Sequence, residues 1–135
     1  MPPSEDKSGG EAVAPGQGLA VAAESLYLAN LLVVPGIAFG FLFWLWRRHR
    51  TSAPALARQH LHQTTFVSLY GGILIVSLSA IFIALGGLDW EWTWVLVIVY
   101  FTCIHSTLVL FGIFGLSRAM AGQTWRYPLI GPDEA

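Results

Sequence analysis

Few side chains in this sequence can do chemistry, and most of them are histidines. His105 stands in the middle of a long uncharged run, His60 and His62 lie in ARQHLHQTTF, and His49 follows two arginines. An ionisable group deep in an apolar segment is costly, so His105 must face protein rather than lipid. Thr102, Ser106, Val109 and Gly112 share its helical face. Four roles fit it: axial ligand to haem or another metal, proton relay, contact with a bound cofactor, or a neutral imidazole. In the last case its hydrogen bond would go to Ser77, Ser79 or a freed backbone carbonyl of Leu31. The other histidines lie nearer the basic end, roughly 16 Å away at ~1.5 Å per residue. A haem ligated on both faces would therefore need a ligand from another chain. Three convergent ligands, as a catalytic metal requires, are not present. The sequence requires no cofactor.

His60 and Gln63 are one helical turn apart and point the same way if their helix starts early. They form either an interfacial contact, to a lipid headgroup or a partner, or a polar turn capping the helix. Cys103 is the single cysteine, so it makes no internal disulfide and reads as a small apolar residue. Asp89 and Glu91 flank Trp90 in a short connection and read as solvated markers rather than general acid and base. No phosphate-cradling glycine loop, nucleophile elbow or carboxylate pair within an apolar run is found. The residues therefore predict a protein that is not an enzyme.

The elements that position these groups follow from composition. Apolar residues make up 55% of the chain and charged residues 11%, against roughly 25% charged in soluble domains. Residues 1–24 are rich in Pro, Gly, Ala and acids, hold no aromatic residue, and predict a flexible, disordered tail. Three uncharged runs follow, at about 26–46, 64–85 and 92–116, each above the ~18 residues that cross a bilayer. In lipid each must be a helix. The expected fold is all-α and integral to the membrane, with three transmembrane helices spanning 25–130 and a short C-terminal tail over 131–135. Pro35-Gly36 predicts a kink within the first helix.

All lysines and arginines except Lys7 fall in two segments: Arg47, Arg48, Arg50 and Arg58 between the first two runs, Arg118 and Arg126 after the third. The positive-inside rule then places the C-terminus in the cytoplasm and the N-terminus outside, in the inner membrane of a bacterium. Trp44, Trp46 and Trp125 would mark the inner interface, and Tyr27, Trp90, Trp92 and Trp94 the outer one. Ala29, Val33, Gly36 and Gly40 recur at helical spacing, a small-residue face for packing within the chain, against a partner, or in self-association. A net charge of −1 gives no pull toward nucleic acid.

The run LANLLVVPGIAFGFLFWLWRRHR, then RQHLHQ, then the closing AMAGQTWRYPLI, resembles a widespread bacterial family of small, three-helix membrane proteins without assigned function. That family is distantly similar to the chloroplast inner-envelope protein-import component. The matching positions are His60 and Gln63, then Gly122, Trp125, Arg126, Tyr127 and Pro128, while His62 stands where the family more often has a basic residue. The resemblance implies a three-helix membrane domain over roughly 26–130 and supplies no reaction; His105 is outside the shared pattern. Together these readings predict a non-catalytic accessory subunit of a larger membrane complex, with a respiratory or photosynthetic complex as a natural host. The rivals are a cofactor-binding redox subunit using His105 with a partner chain, and an oligomeric channel or translocation component.

Overall fold

The computed structural model describes residues 12–133. Among these it contains four helices: α1 (Gln17–Leu32), α2 (Ile37–His49), α3 (Ala55–Gly86) and α4 (Glu91–Met120). No strand occurs among the described residues, as the uncharged runs predicted. α3 and α4, of 32 and 30 residues, are long and apolar enough to cross a membrane. They run antiparallel, with the Tyr100 hydroxyl donating to the Leu74 carbonyl at 2.9 Å.

The expected first span is not one helix. The chain breaks at 33–36 and turns back, so that α1 and α2 form a hairpin. Pro35 carries no N–H to continue the helix, and it biases the residue before it away from α geometry. Gly36 takes φ +82°, open to glycine because it lacks a Cβ. The Asn30 side chain then accepts from the Gly36 N–H at 2.9 Å and seals the turn. The kink expected at Pro35-Gly36 is thus a reversal.

Two contacts fix the direction of the hairpin. Gln17 donates to the Met120 carbonyl at 2.6 Å, and a Cβ at Gly16 would lie 3.1 Å from Pro54. The start of α1, the loop after α2 and the end of α4 therefore share one end of the molecule. An N-terminal tail opposite the C-terminus is not what forms; the described part of the chain enters and leaves at the same end. The helix also starts at Gln17, inside the segment expected as tail, while 1–11 lie outside the described residues. At the other end of the hairpin, the turn faces Ser68, Gly72 and Ser77 of α3 across a shared cleft. It also lies beside Phe101 and His105 of α4. Both places lie near the midpoints of their helices, so one half of the molecule holds four helices and the other half two.

Arg47, Arg48, Arg50, Arg58, Arg118 and Arg126 all gather at the four-helix end, near Trp44 and Trp46. Arg48 sits over the Trp44 ring at 5.6 Å and Arg50 over the Trp46 ring at 5.4 Å. Trp90, Trp92 and Trp94 lie at the opposite end, around the α3–α4 turn. Tyr27 is no outer marker: it is buried in the core beside Leu42, Leu61, Val67 and Leu108.

The hairpin has a direct test. In a Cys103→Ser background, cysteines at Val13, Thr51 and Asp133 are expected to react with a membrane-impermeant maleimide from one side, and a cysteine at Leu88 only from the other. A Val13 cysteine reacting together with Leu88 would restore a spanning first helix.

Candidate functional site

The buried ionisable side chains Glu24 and His60 converge at the base of the hairpin, with Gln63 and Tyr127 beside them. α1 turns Ala20, Ala23, Glu24 and Tyr27 inward, at helical spacing. The alanines let α3 approach closely. α4 meets the same face with Leu108, Gly112, Gly115 and Ala119. A Cβ at Gly115 would lie 2.5 Å from the Glu24 Oε2, and one at Gly112 would lie 2.6 Å from the Tyr27 ring. Glycine at these two positions is what makes room for a carboxylate and a phenol between the helices.

Glu24 and His60 are both fully buried. The His60 Nδ1 lies 2.6 Å from the Glu24 Oε1, and the Tyr127 hydroxyl donates to the Glu24 Oε2 at 2.5 Å. On the far side of the ring, the His60 Nε2 lies 2.8 Å from the Gln123 carbonyl. A carbonyl only accepts, so Nε2 carries a proton. A second proton lies between Nδ1 and the carboxyl, and the pair is either imidazolium with carboxylate or imidazole with carboxylic acid. Both arrangements have zero net charge, which is what a buried site tolerates.

Burial pushes the Glu24 carboxyl above its ordinary range, while the hydrogen bonds from His60 and Tyr127 pull it back. Burial also raises the Tyr127 phenol well above its usual value, with the nearby Glu24 adding to the effect. The phenol therefore remains a hydroxyl donor.

The segment after α4 folds back along α3, where two glutamines one turn apart hold its backbone. Gln59 donates to the Trp125 carbonyl and accepts from the Trp125 N–H at 3.2 Å. Gln63 accepts from the Tyr127 N–H at 3.2 Å and donates to the Pro132 carbonyl at 2.7 Å. Gln59 pairs with extended backbone much as a neighbouring strand would, and Gln63 bridges the two ends of the turn at 128–130.

The candidate residues therefore separate. His60, Gln63 and Tyr127 come together, with Trp125 packed edge-on against Tyr127 at 6.2 Å between ring centres. His60 and Gln63 are buried and committed to partners inside the chain, so neither is free to take a lipid headgroup. Arg126 points outward and pairs with Asp133 at 2.6 Å. Ala29 lies on α1 and Gly40 on α2, while Val33 and Gly36 fall in the turn between them, so the four make no common face. A Cβ at Gly36 or Gly40 would meet nothing within 4 Å, so neither glycine packs against the rest of the chain.

His105 is remote from this cluster. It stacks on Phe101 at 5.2 Å and 14° between planes. It lines a cavity of about 190 Å³ with Tyr27, Asn30, Pro35, Ser68 and Gly72. Its ring makes no hydrogen bond to Ser77 or Ser79 among the described residues. No group of three or more metal-ligating side chains occurs among the described residues either.

Glu24 is the functional residue that sequence reasoning missed. It is the last residue of the segment 1–24 whose composition predicts a tail. The available signal was an isolated carboxylate one turn before Tyr27, at the edge of an apolar run, with no lysine or arginine near it in sequence.

Fold and cluster define a small all-helical protein in which a polar clamp locks the α1–α2 hairpin onto two helices long and apolar enough to cross a membrane. The chain belongs to the magnetosome magnetite crystal formation protein family, whose profile matches residues 17–132. The match begins at the first residue of α1, so the hairpin is part of the family unit. This is a bacterial family of small membrane proteins, as the layout around His60, Gln63 and the closing motif implied; no likeness to the chloroplast import component emerges. No curated protein and no solved structure matches the chain.

Proposed function

We propose that this chain is a non-catalytic accessory protein of the membrane in which magnetite crystals form, with its arginine-rich end facing the cytoplasm. The observation that carries this reading is the closed state of its one buried ionisable cluster. Glu24, His60 and Tyr127 spend their polar atoms on each other and on the Gln123 carbonyl. Such a cluster holds helices together and offers no face to a substrate. The family's description supplies the process, and it favours this host over a respiratory or photosynthetic complex. The arginines at the four-helix end support the orientation through the positive-inside rule.

The test is deletion in the native host, with electron microscopy of the crystals. Altered crystal size, shape or number, restored by the wild-type chain, is the expected result; crystals unchanged in all three would overturn the reading. Purification in mild detergent is expected to recover the chain with other membrane components, and elution as a lone monomer would remove the accessory role.

A second reading rests on His105 beside its cavity at the hairpin turn. It makes the chain a cofactor-binding subunit that shares a ligand with a partner. An absorption spectrum of the native complex that is unchanged by His105→Ala would dismiss it.

A further inference from the structure

The geometry points to a wedge: this chain prefers a curved bilayer, with its arginine-rich end in the convex leaflet. The inference depends on the membrane placement of α3 and α4 and goes beyond the accessory role.

The argument begins with depth. The apolar part of α3 starts near Thr65, after the polar ALARQHLHQTT. About 20 residues of helix cross the hydrocarbon, so the span reaches Leu85. The hairpin turn lines a cleft with Ser68, Gly72, Val76 and Ser77, which places its tip near the middle of that span. On α4 the tip meets Phe101 and His105, midway between Glu91 and Met120. Both helices give the same depth.

Below that level the protein's cross-section is four helices, and above it two. A helix with side chains is roughly 10 Å across, so the arginine end occupies about twice the area of the other end. Lipids fill a flat bilayer equally on both sides. A protein that displaces more area from one leaflet fits best where that leaflet is the expanded one.

The hairpin is also held stiffly enough to act as a wedge. Glu24 is clamped to His60 and Tyr127. Tyr27 is fixed by its bond to the Leu108 carbonyl at 3.0 Å. Trp46 packs edge-on against Phe66 at 5.5 Å between ring centres. The lipid-facing side of α2 is apolar to its tip, with Ile37, Phe41 and Trp44 all more than half exposed. The hairpin therefore rests in hydrocarbon rather than on the surface.

Orientation in small vesicles tests the wedge. The full chain, in a Cys103→Ser background, is reconstituted into phosphatidylcholine–phosphatidylglycerol vesicles of several diameters. A cysteine at Thr51 reports the broad end and one at Leu88 the narrow end, each read with an impermeant maleimide. As diameter falls, the outward fraction of Thr51 is expected to rise and that of Leu88 to fall. In the smallest vesicles the expected excess of broad-end-out molecules is at least twofold, a bias of ~0.4 kcal/mol. Outward fractions that do not change with diameter would overturn the inference, as would a Thr51 fraction that falls. Only lipid and this chain are present, so the result is independent of any role in magnetite formation.

Discussion

Replacing Glu24 with alanine is expected to destabilise the protein by about 3–5 kcal/mol, the cost of leaving a buried ionisable partner unpaired. The change strands the His60 Nδ1 and the Tyr127 hydroxyl in a site with no water access, since His60, Glu24 and Tyr127 are all essentially inaccessible. Thermal unfolding in detergent, followed by circular dichroism, measures the loss. The informative comparison is Glu24→Leu with His60→Leu. Removing both charges together is expected to cost clearly less than the sum of the two single changes, because the apolar pair leaves no unpaired charge. Additive losses, or a Glu24→Ala protein as stable as wild type, would show that the clamp does not hold the hairpin.

The second large effect is expected at Gly112. A methyl group there would lie 2.6 Å from one carbon of the Tyr27 ring and 2.7 Å from the Leu28 side chain. The Tyr27 ring cannot turn aside without breaking its bond to the Leu108 carbonyl. Gly112→Ala is therefore expected to cost about 1–3 kcal/mol, as overpacking does, despite alanine's better helix propensity. Gly40→Ala is the matched control. It meets no neighbour within 4 Å, so it should be neutral or stabilising by up to ~1 kcal/mol. The same unfolding measurement separates the two sites, and equal effects at both would contradict the helix contact described.

Much of this fold was legible in the sequence, and the exceptions have physical causes. α3 and α4 were readable because uncharged runs of that length have few other stable states. The helix ends ran past the predicted bounds, since ALARQHLHQ extends α3 beyond the lipid and composition alone does not mark where a span stops. The first run misled because 21 uncharged residues satisfy the length rule whether they cross a bilayer once or turn back on themselves. The decision lies in Pro35, Gly36 and the Asn30 side chain, and in pairing with residues far along the chain. Within the site, His60, Gln63, Trp125, Arg126 and Tyr127 were picked out together, and four of the five do assemble. Their role differed from the one expected because the missing member, Glu24, lay in a stretch whose alanines and glycines read as tail. Those small residues are what allow α1 to pack tightly.

The clamp joins positions far apart in the chain: 36 residues separate Glu24 from His60, and 103 separate Glu24 from Tyr127. During synthesis the first helix emerges long before its hydroxyl donor, and Gln59 and Gln63 likewise wait for the segment they hold. Seating of the α1–α2 hairpin thus waits until the segment carrying Gln123 and Tyr127 has been made. A chain truncated before Gln123 would retain the two long apolar helices, α3 and α4, and lose the lock on α1.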